Sequence, residues 1–284
     1  METVFHVDWR GACGIGGLKI TYLNFPLKSV KRLGSGTLQK FYRIGHAFFM
    51  LLEAVWYFRC ALSRRNRADT MMQLYVVGVK SIAVITVVAL FTGMILALQT
   101  GLELMRYGQQ VFIGSAVAVS VIREMGPFMA GLIIAASVGS SMAAQVGTMT
   151  VSEEVSALEV MGINANRFLV MPRLVALVVM MPLLTVYTDI VAILGGALVG
   201  YTQLNVELLA YYHNAMMYTE VKDLYVGLFK AGLFGLVIGT VACHQGFSAR
   251  GGAVGVGVAT RRTVVSSFLL ILVLGYMITR LFYL

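Results

Sequence analysis

Five stretches of this chain are so long and so poor in charge that a lipid bilayer is the only surrounding in which they are stable. A helix that crosses the hydrocarbon core needs about 20 apolar residues. Val76–Leu98, Val111–Gly147, Leu174–Val199, Leu224–Cys243 and Val264–Phe282 all reach or approach that length. Composition agrees: of 284 residues, 58% are hydrophobic and only 12% charged, with a mean hydropathy of +0.82, whereas soluble domains carry about 25% charge. The expected fold is an all-α polytopic membrane protein of five spans, in a permease domain over 71–284. No apolar stretch follows METVFHVDWR closely, so no cleavable signal is expected. Three widely spaced cysteines, Cys13, Cys60 and Cys243, form no disulfide framework.

The charge is concentrated before the first span. Residues 1–80 hold 12 Lys/Arg against 4 Asp/Glu, a net of +8 out of +9 for the chain. Such a segment suits the cytoplasmic face and anionic headgroups, and a mostly apolar chain is no nucleic-acid binder. Residues 1–36 form a basic N-terminal segment. Residues 37–70 are read as an interfacial amphipathic region, its helix predicted over 37–62. His46–Phe58 is too short to span and carries Glu53, with Trp56 and Tyr57 at headgroup level; a buried amphipathic helix fits the same residues. Gly11–Gly17 is glycine-rich but lacks the Lys-Ser/Thr ending of a phosphate loop, so any ATP would bind another subunit. Arg167, Arg173, Arg250, Arg261 and Arg262 fall in two further basic connections, while residues 99–110 and 201–223 contain Glu103, Glu207, Glu220 and Asp223. The basic loops put the N-terminus in the cytoplasm and the C-terminus outside.

The second apolar segment is longer than one crossing needs, so it must be broken, tilted or protruding, and Gly126-Pro127 is the expected helix break. Beyond it Gly131, Ala135, Gly139, Ala143 and Gly147 recur at every fourth position, a stripe that lets another helix approach closely. Its partner, another span or a second copy, is open at this point. Between the second and third spans, Thr150 and Glu153 have capping-box spacing, and Gly162 suits a helix stop. The pattern predicts a cytoplasmic helix of about 11 residues over 151–161, roughly 16 Å long. Val151, Val155 and Leu158 form its apolar stripe, and Glu153, Glu154 and Glu159 its polar side. Docking on a partner and a plain connection fit it equally.

Four runs in matching order, Arg123–Pro127, Gly139–Gly147, Glu153–Gly162 and Pro182–Val186, resemble the MlaE family of ABC permeases over about residues 70–284. The resemblance implies a homodimeric permease without a catalytic or metal centre of its own. It implies a separate ATPase that binds ATP and Mg, an MCE-domain protein, and in some systems a small STAS-type subunit. It implies movement of phospholipids between a bacterial inner membrane and the outer envelope. Glu153, Glu154, Leu158 and Glu159 would belong to the coupling helix that meets the ATPase. Arg123, Glu124 and Lys230 match positions near the lipid cavity, with Tyr107 at its outer rim.

Read from the residues alone, Arg123 and Glu124 before the Gly-Pro break, and Lys230 in the fourth span, are intramembrane charges that need a cavity or a partner. An amphiphile site would use them; so would an Arg123–Glu124 or Lys230–Glu124 tie between helices. Asp189 in the third span would pair with another span or bond to backbone freed by Pro182. An ion- or proton-coupled secondary transporter would use Asp189, Glu124 and Lys230 as a relay, although five spans fit inverted repeats poorly. No nucleophile–base or paired-carboxylate pattern marks a lipid-modifying enzyme. Adjacent Cys243 and His244 make no metal site alone, and His213 reads as a solvated loop residue. The loop charges predict that reporter fusions at Asn166, Asn214 and Leu284 read inside, outside and outside; a cytoplasmic signal at Leu284 contradicts the span count.

Overall fold

The computed structural model describes residues 67–162 and 164–284. The basic segment 1–36, the interfacial helix expected over 37–62 and the glycine-rich run at 11–17 lie outside the described residues. Among the described residues, five helical stretches are long and apolar enough to cross a membrane: Asp69–Arg106, Gln110–Val151, Phe168–Leu204, Val221–Phe247 and Gly252–Tyr283. The chain is a multi-pass membrane protein. Each stretch runs past the bounds read from hydropathy, because a helix continues into the headgroup region where polar side chains are tolerated.

The first stretch is α1 (Arg67–Val77) and α2 (Val79–Arg106). The second is α3 (Ile113–Ser120), α4 (Gly126–Ile134) and α5 (Ser140–Val151), joined by two widened π turns at Val121–Met125 and Ala135–Gly139. Gly126-Pro127 therefore does not break the helix, as its sequence suggested. The stretch passes through it by the π turn Val121–Met125, and Pro127 sits in the first turn of α4. Next come α6 (Glu154–Val160) and α7 (Met171–Leu204), whose Pro182 is carried inside an uninterrupted helix. A further helix, α8 (Leu208–Tyr218), occupies the segment read as an outer loop; His213 is exposed on it. Then follow α9 (Val221–Phe247) and α10 (Gly252–Tyr283). The short turn between the last two requires left-handed backbone at Gly251 and Gly252, φ +86° and +70°.

The third and fourth spans are mostly buried, and the first and last are mostly exposed. The centre of the bundle is thus α7 and α9, with α2 and α10 outside. Fourth-position stripes set this order. On α2 the buried residues are Ser81, Ile85, Ala89, Gly93, Ala97 and Gly101, and the stripe meets α7 so closely that a Cβ on Gly93 would lie 1.8 Å from the Ala192 carbonyl oxygen. Gly195 faces the Leu90 carbonyl in return, and Thr86 and Tyr187 share a 2.7 Å hydrogen bond across the pair.

The stripe beginning at Gly131 finds its partner within the chain. Gly131 faces Phe234 and Ile271, Gly139 faces Ile238 and Thr263, and Gly147 faces Ala249 and Val256. Its neighbours are α9, α10 and the turn between them. Small residues let these helices pack by dispersion, the main attraction between helices in lipid. Gly93→Val is expected to remove about 3 kcal/mol or more of stability in detergent. Exposed Gly257, which has open space around it, should accept alanine with no loss; equal thermal stability of both variants would contradict this packing.

Candidate functional site

Pro127 has no N–H, so a carbonyl one turn before it loses its helical partner. Arg123 lies in the π turn Val121–Met125, and its carbonyl accepts a 2.8 Å hydrogen bond from the Lys230 ammonium. The same ammonium donates to Glu124 Oε1 at 2.8 Å and to the Thr279 hydroxyl at 2.7 Å. The Thr279 hydroxyl bonds Glu124 in turn. Lys230 is 1% exposed and has used all three of its donors. Of the two ties open from sequence, the Lys230–Glu124 pair is the one formed. It joins the second, fourth and fifth spans.

Lys230 reaches this place because α9 can come close. A Cβ on Gly227 would lie 2.6 Å from the Ile122 carbonyl oxygen, and Lys230 follows Gly227 by three residues, on the same helix face.

Arg123 does not pair with Glu124. Its Nε donates to Asp223 Oδ1 at 2.7 Å, and the Tyr283 hydroxyl donates to the same oxygen at 2.7 Å. Asp223 is fully buried in the first turn of α9, where the positive end of the helix favours an anion. The guanidinium lies 4.6 Å from the centre of the Tyr283 ring, and Lys222 lies 5.2 Å from it. The Arg123 side chain is 35% exposed. Beyond the Asp223 bond it makes no other hydrogen bond among the described residues, so its terminal nitrogens keep donors to offer.

Two cation clusters therefore stand side by side on one π turn. One is closed around Lys230; the other is open at Arg123. Sequence reading singled out Arg123, Glu124 and Lys230 but missed Asp223, Thr279, Tyr283 and Lys222. Asp223 was counted only as an outer-loop acid, and Thr279 and Tyr283 sit in an apolar span end without a local signal. Tyr107 caps the end of α2, exposed, and takes no part in either cluster's bonds.

Asp189 meets neither expected partner. Its carboxylate packs on Gly126, where a Cβ would lie 1.7 Å from Oδ1; it forms no ion pair among the described residues, and Oδ1 is left without a hydrogen bond. The glycine of the Gly-Pro pair makes room for Asp189.

At the other end of the second span, the capping box is not formed. Thr150 bonds back to the Val146 carbonyl, because α5 runs on through Val151. The turn is made by Glu153 in the left-handed region, φ 62°, and Ser152 bonds Thr148 and Glu154 instead. Helix α6 is thus 7 residues long rather than 11, and it ends at the expected glycine, Gly162, φ +76°. Val151, Val155 and Leu158 are half-buried, whereas Glu153, Glu154, Glu159, Val160 and Met161 are exposed, Val160 by 88%.

A five-span helical bundle with ion-paired clusters in its spans and a short helix on one connection is, among the described residues, a polytopic all-α membrane protein. A family model described as Permease MlaE matches residues 70–281. A probable ABC transporter permease protein of Rickettsia felis is 40% identical over 74% of this chain and 82% of its own length. One of Synechocystis is 32% identical over 86% and 92%. The intermembrane phospholipid transport system permease protein MlaE of Haemophilus influenzae is 31% identical over 89% and 97%. The chain belongs to the MlaE family of ABC transporter permeases.

Lys230→Met is expected to destabilise the protein by about 3 kcal/mol, since it strands Glu124 and the Arg123 carbonyl. Adding Glu124→Gln should recover part of that loss, and Gly227→Val should imitate it. Additive losses in denaturant unfolding would contradict the tie.

Proposed function

We propose that this chain is the membrane-spanning subunit of a transporter that moves phospholipids between the inner membrane and the outer envelope of a bacterium. Two copies form the permease, with N-termini in the cytoplasm, and an ATPase subunit binds ATP and Mg and supplies the energy. An MCE-domain protein receives or delivers lipid outside, and a small STAS-type subunit assists the ATPase. The phospholipid system named for the Haemophilus relative supports this reading. The observation that carries it is the unequal state of the two cations. Lys230 has no donor left for a ligand, whereas Arg123 is one-third exposed with its terminal nitrogens unspent among the described residues.

A guanidinium in that state binds a phosphodiester through charge-assisted hydrogen bonds. Asp223 and the Tyr283 ring hold it in place when no lipid is bound, and the apolar spans beside it suit acyl chains. Glu124 and Lys230 then act on lipid indirectly, by fixing the backbone that carries Arg123. Tyr107 stands at the outer rim. The relay of a secondary transporter needs Asp189, Glu124 and Lys230 to exchange protons, and no hydrogen bond or ion pair joins Asp189 to the other two among the described residues.

At the cytoplasmic end, α6 presents Val160 and Met161 beside Glu153, Glu154 and Glu159, with Leu158 half-buried beneath. Exposed apolar side chains next to acids suit a groove on the ATPase. Closure of the ATPase on ATP would push α6, and through α5 the π turns of the same span.

Arg123→Ala, combined with Asp223→Asn so that no buried carboxylate is left without its cation, should lower lipid transport at least tenfold while leaving assembly intact. Ala157→Pro should uncouple ATP hydrolysis from transport with the membrane subunit still folded, proline costing about 3 kcal/mol in a helix interior. Normal transport by the double variant removes the lipid role; normal transport by Ala157→Pro removes α6 from coupling.

A further inference from the structure

Arg173 stands in the first turn of α7, in a connection whose charge was read as surface charge, yet it is 7% exposed. Its Nη1 donates to the Leu169 carbonyl at 2.7 Å and its Nη2 reaches Gln145 Oε1 at 3.4 Å. Its Nε is buried with no hydrogen-bond partner, and no carboxylate lies within 4.0 Å among the described residues. A buried guanidinium without a counter-charge is expensive to keep, so its setting is informative.

Arg173 lines an open groove of about 470 Å³ together with Ala144, Gln145, Thr148, Met149 and Glu154. The groove has apolar wall from Ala144 and Met149, polar rim from Gln145 and Thr148, and one buried cation. Glu154 is turned to Ser152, 3.0 Å away, and does not neutralise Arg173. Gln145 lies 22 positions beyond Arg123 on the same helical stretch, which is about 33 Å of helical rise, one bilayer core.

We propose that this groove is a second phosphate-recognising site, taking the phosphodiester headgroup of a phospholipid in the leaflet opposite the Arg123 cluster. Arg173 supplies the charge-assisted bonds, Gln145 and Thr148 flank the headgroup, and Ala144 and Met149 border the start of an acyl chain. Because Glu154 opens α6 and also borders the groove, an occupied site touches the helix that meets the ATPase. The assignment goes beyond the outer-cluster reading and stands without it.

The test uses the full chain in nanodiscs with radiolabelled phosphatidylglycerol and a benzoylphenylalanine in place of Thr148. Ultraviolet light should label the protein with lipid, and Arg173→Gln should reduce that labelling about tenfold, the loss of one charge-assisted contact. Arg173→Lys should keep most of it. Labelled diacylglycerol, which lacks the phosphate, should not couple, and about 10 mM inorganic phosphate should compete only weakly, because it gains nothing from the apolar wall of Ala144 and Met149. A crosslinker at position 107, which is exposed and outside both clusters' bonds, read in parallel, reports the outer end separately and checks that each variant is folded. Equal labelling of the parent and Arg173→Gln, with position 107 unchanged, overturns the site. Full competition by inorganic phosphate makes it a free-anion site and overturns the lipid assignment. Labelling by diacylglycerol at the level of phosphatidylglycerol shows a merely apolar groove and overturns it too.

Discussion

A proline in a membrane helix leaves a carbonyl without a partner in a medium that offers no water, and one end of this bundle is arranged around how that carbonyl is satisfied. The Lys230 ammonium takes the Arg123 carbonyl, Glu124 and Thr279 together. One cation thereby closes the backbone defect and ties three spans at a single depth. Burying that ammonium is tolerable because every N–H has an acceptor and a carboxylate balances its charge. A closed knot leaves Lys230 no donor for a ligand, and the neighbouring Arg123 is the cation whose terminal nitrogens are unspent among the described residues.

The knot depends on helices whose backbones touch. Gly227 brings α9 against the Ile122 carbonyl, Gly126 admits the Asp189 carboxylate, and Gly93 and Gly195 interlock α2 and α7. Fourth-position stripes run along α2, α9 and α10: Ala259, Thr263, Ser267, Ile271 and Gly275 on the last continue to Thr279 at the knot. Packing and polar chemistry are thus one pattern. The small residues set the distance, and the last residue of the stripe supplies the hydroxyl.

The number and order of the spans were legible because apolar runs of that length have one use in a chain. So were the charges that matter, since an ionisable residue within such a run is conspicuous. Their partners were not. Asp223 is 100 residues from Arg123 and lies just before an apolar run, so it reads as loop; Thr279 and Tyr283 look like ordinary span residues. Long-range pairing is decided by helix register, which no local pattern carries. The Thr150–Glu153 spacing misled because α5 outlasts its apolar stretch, leaving Thr150 inside the helix and the turn to a left-handed Glu153. Arg173 misled in the opposite sense: a basic residue in a connection, it is buried by its own helix end.

The central claim is a division of labour in which Lys230 holds the fold and Arg123 holds the lipid. The most direct measurement is a cryo-electron microscopy structure of the full chain with its ATPase in phospholipid nanodiscs, at a resolution that shows side chains. The account predicts headgroup density within hydrogen-bonding distance, about 3 Å, of the Arg123 terminal nitrogens, with Lys230 still on Glu124 and the Arg123 carbonyl. Headgroup density on Lys230, or a lipid-loaded cavity that leaves Arg123 without phosphate, would contradict it.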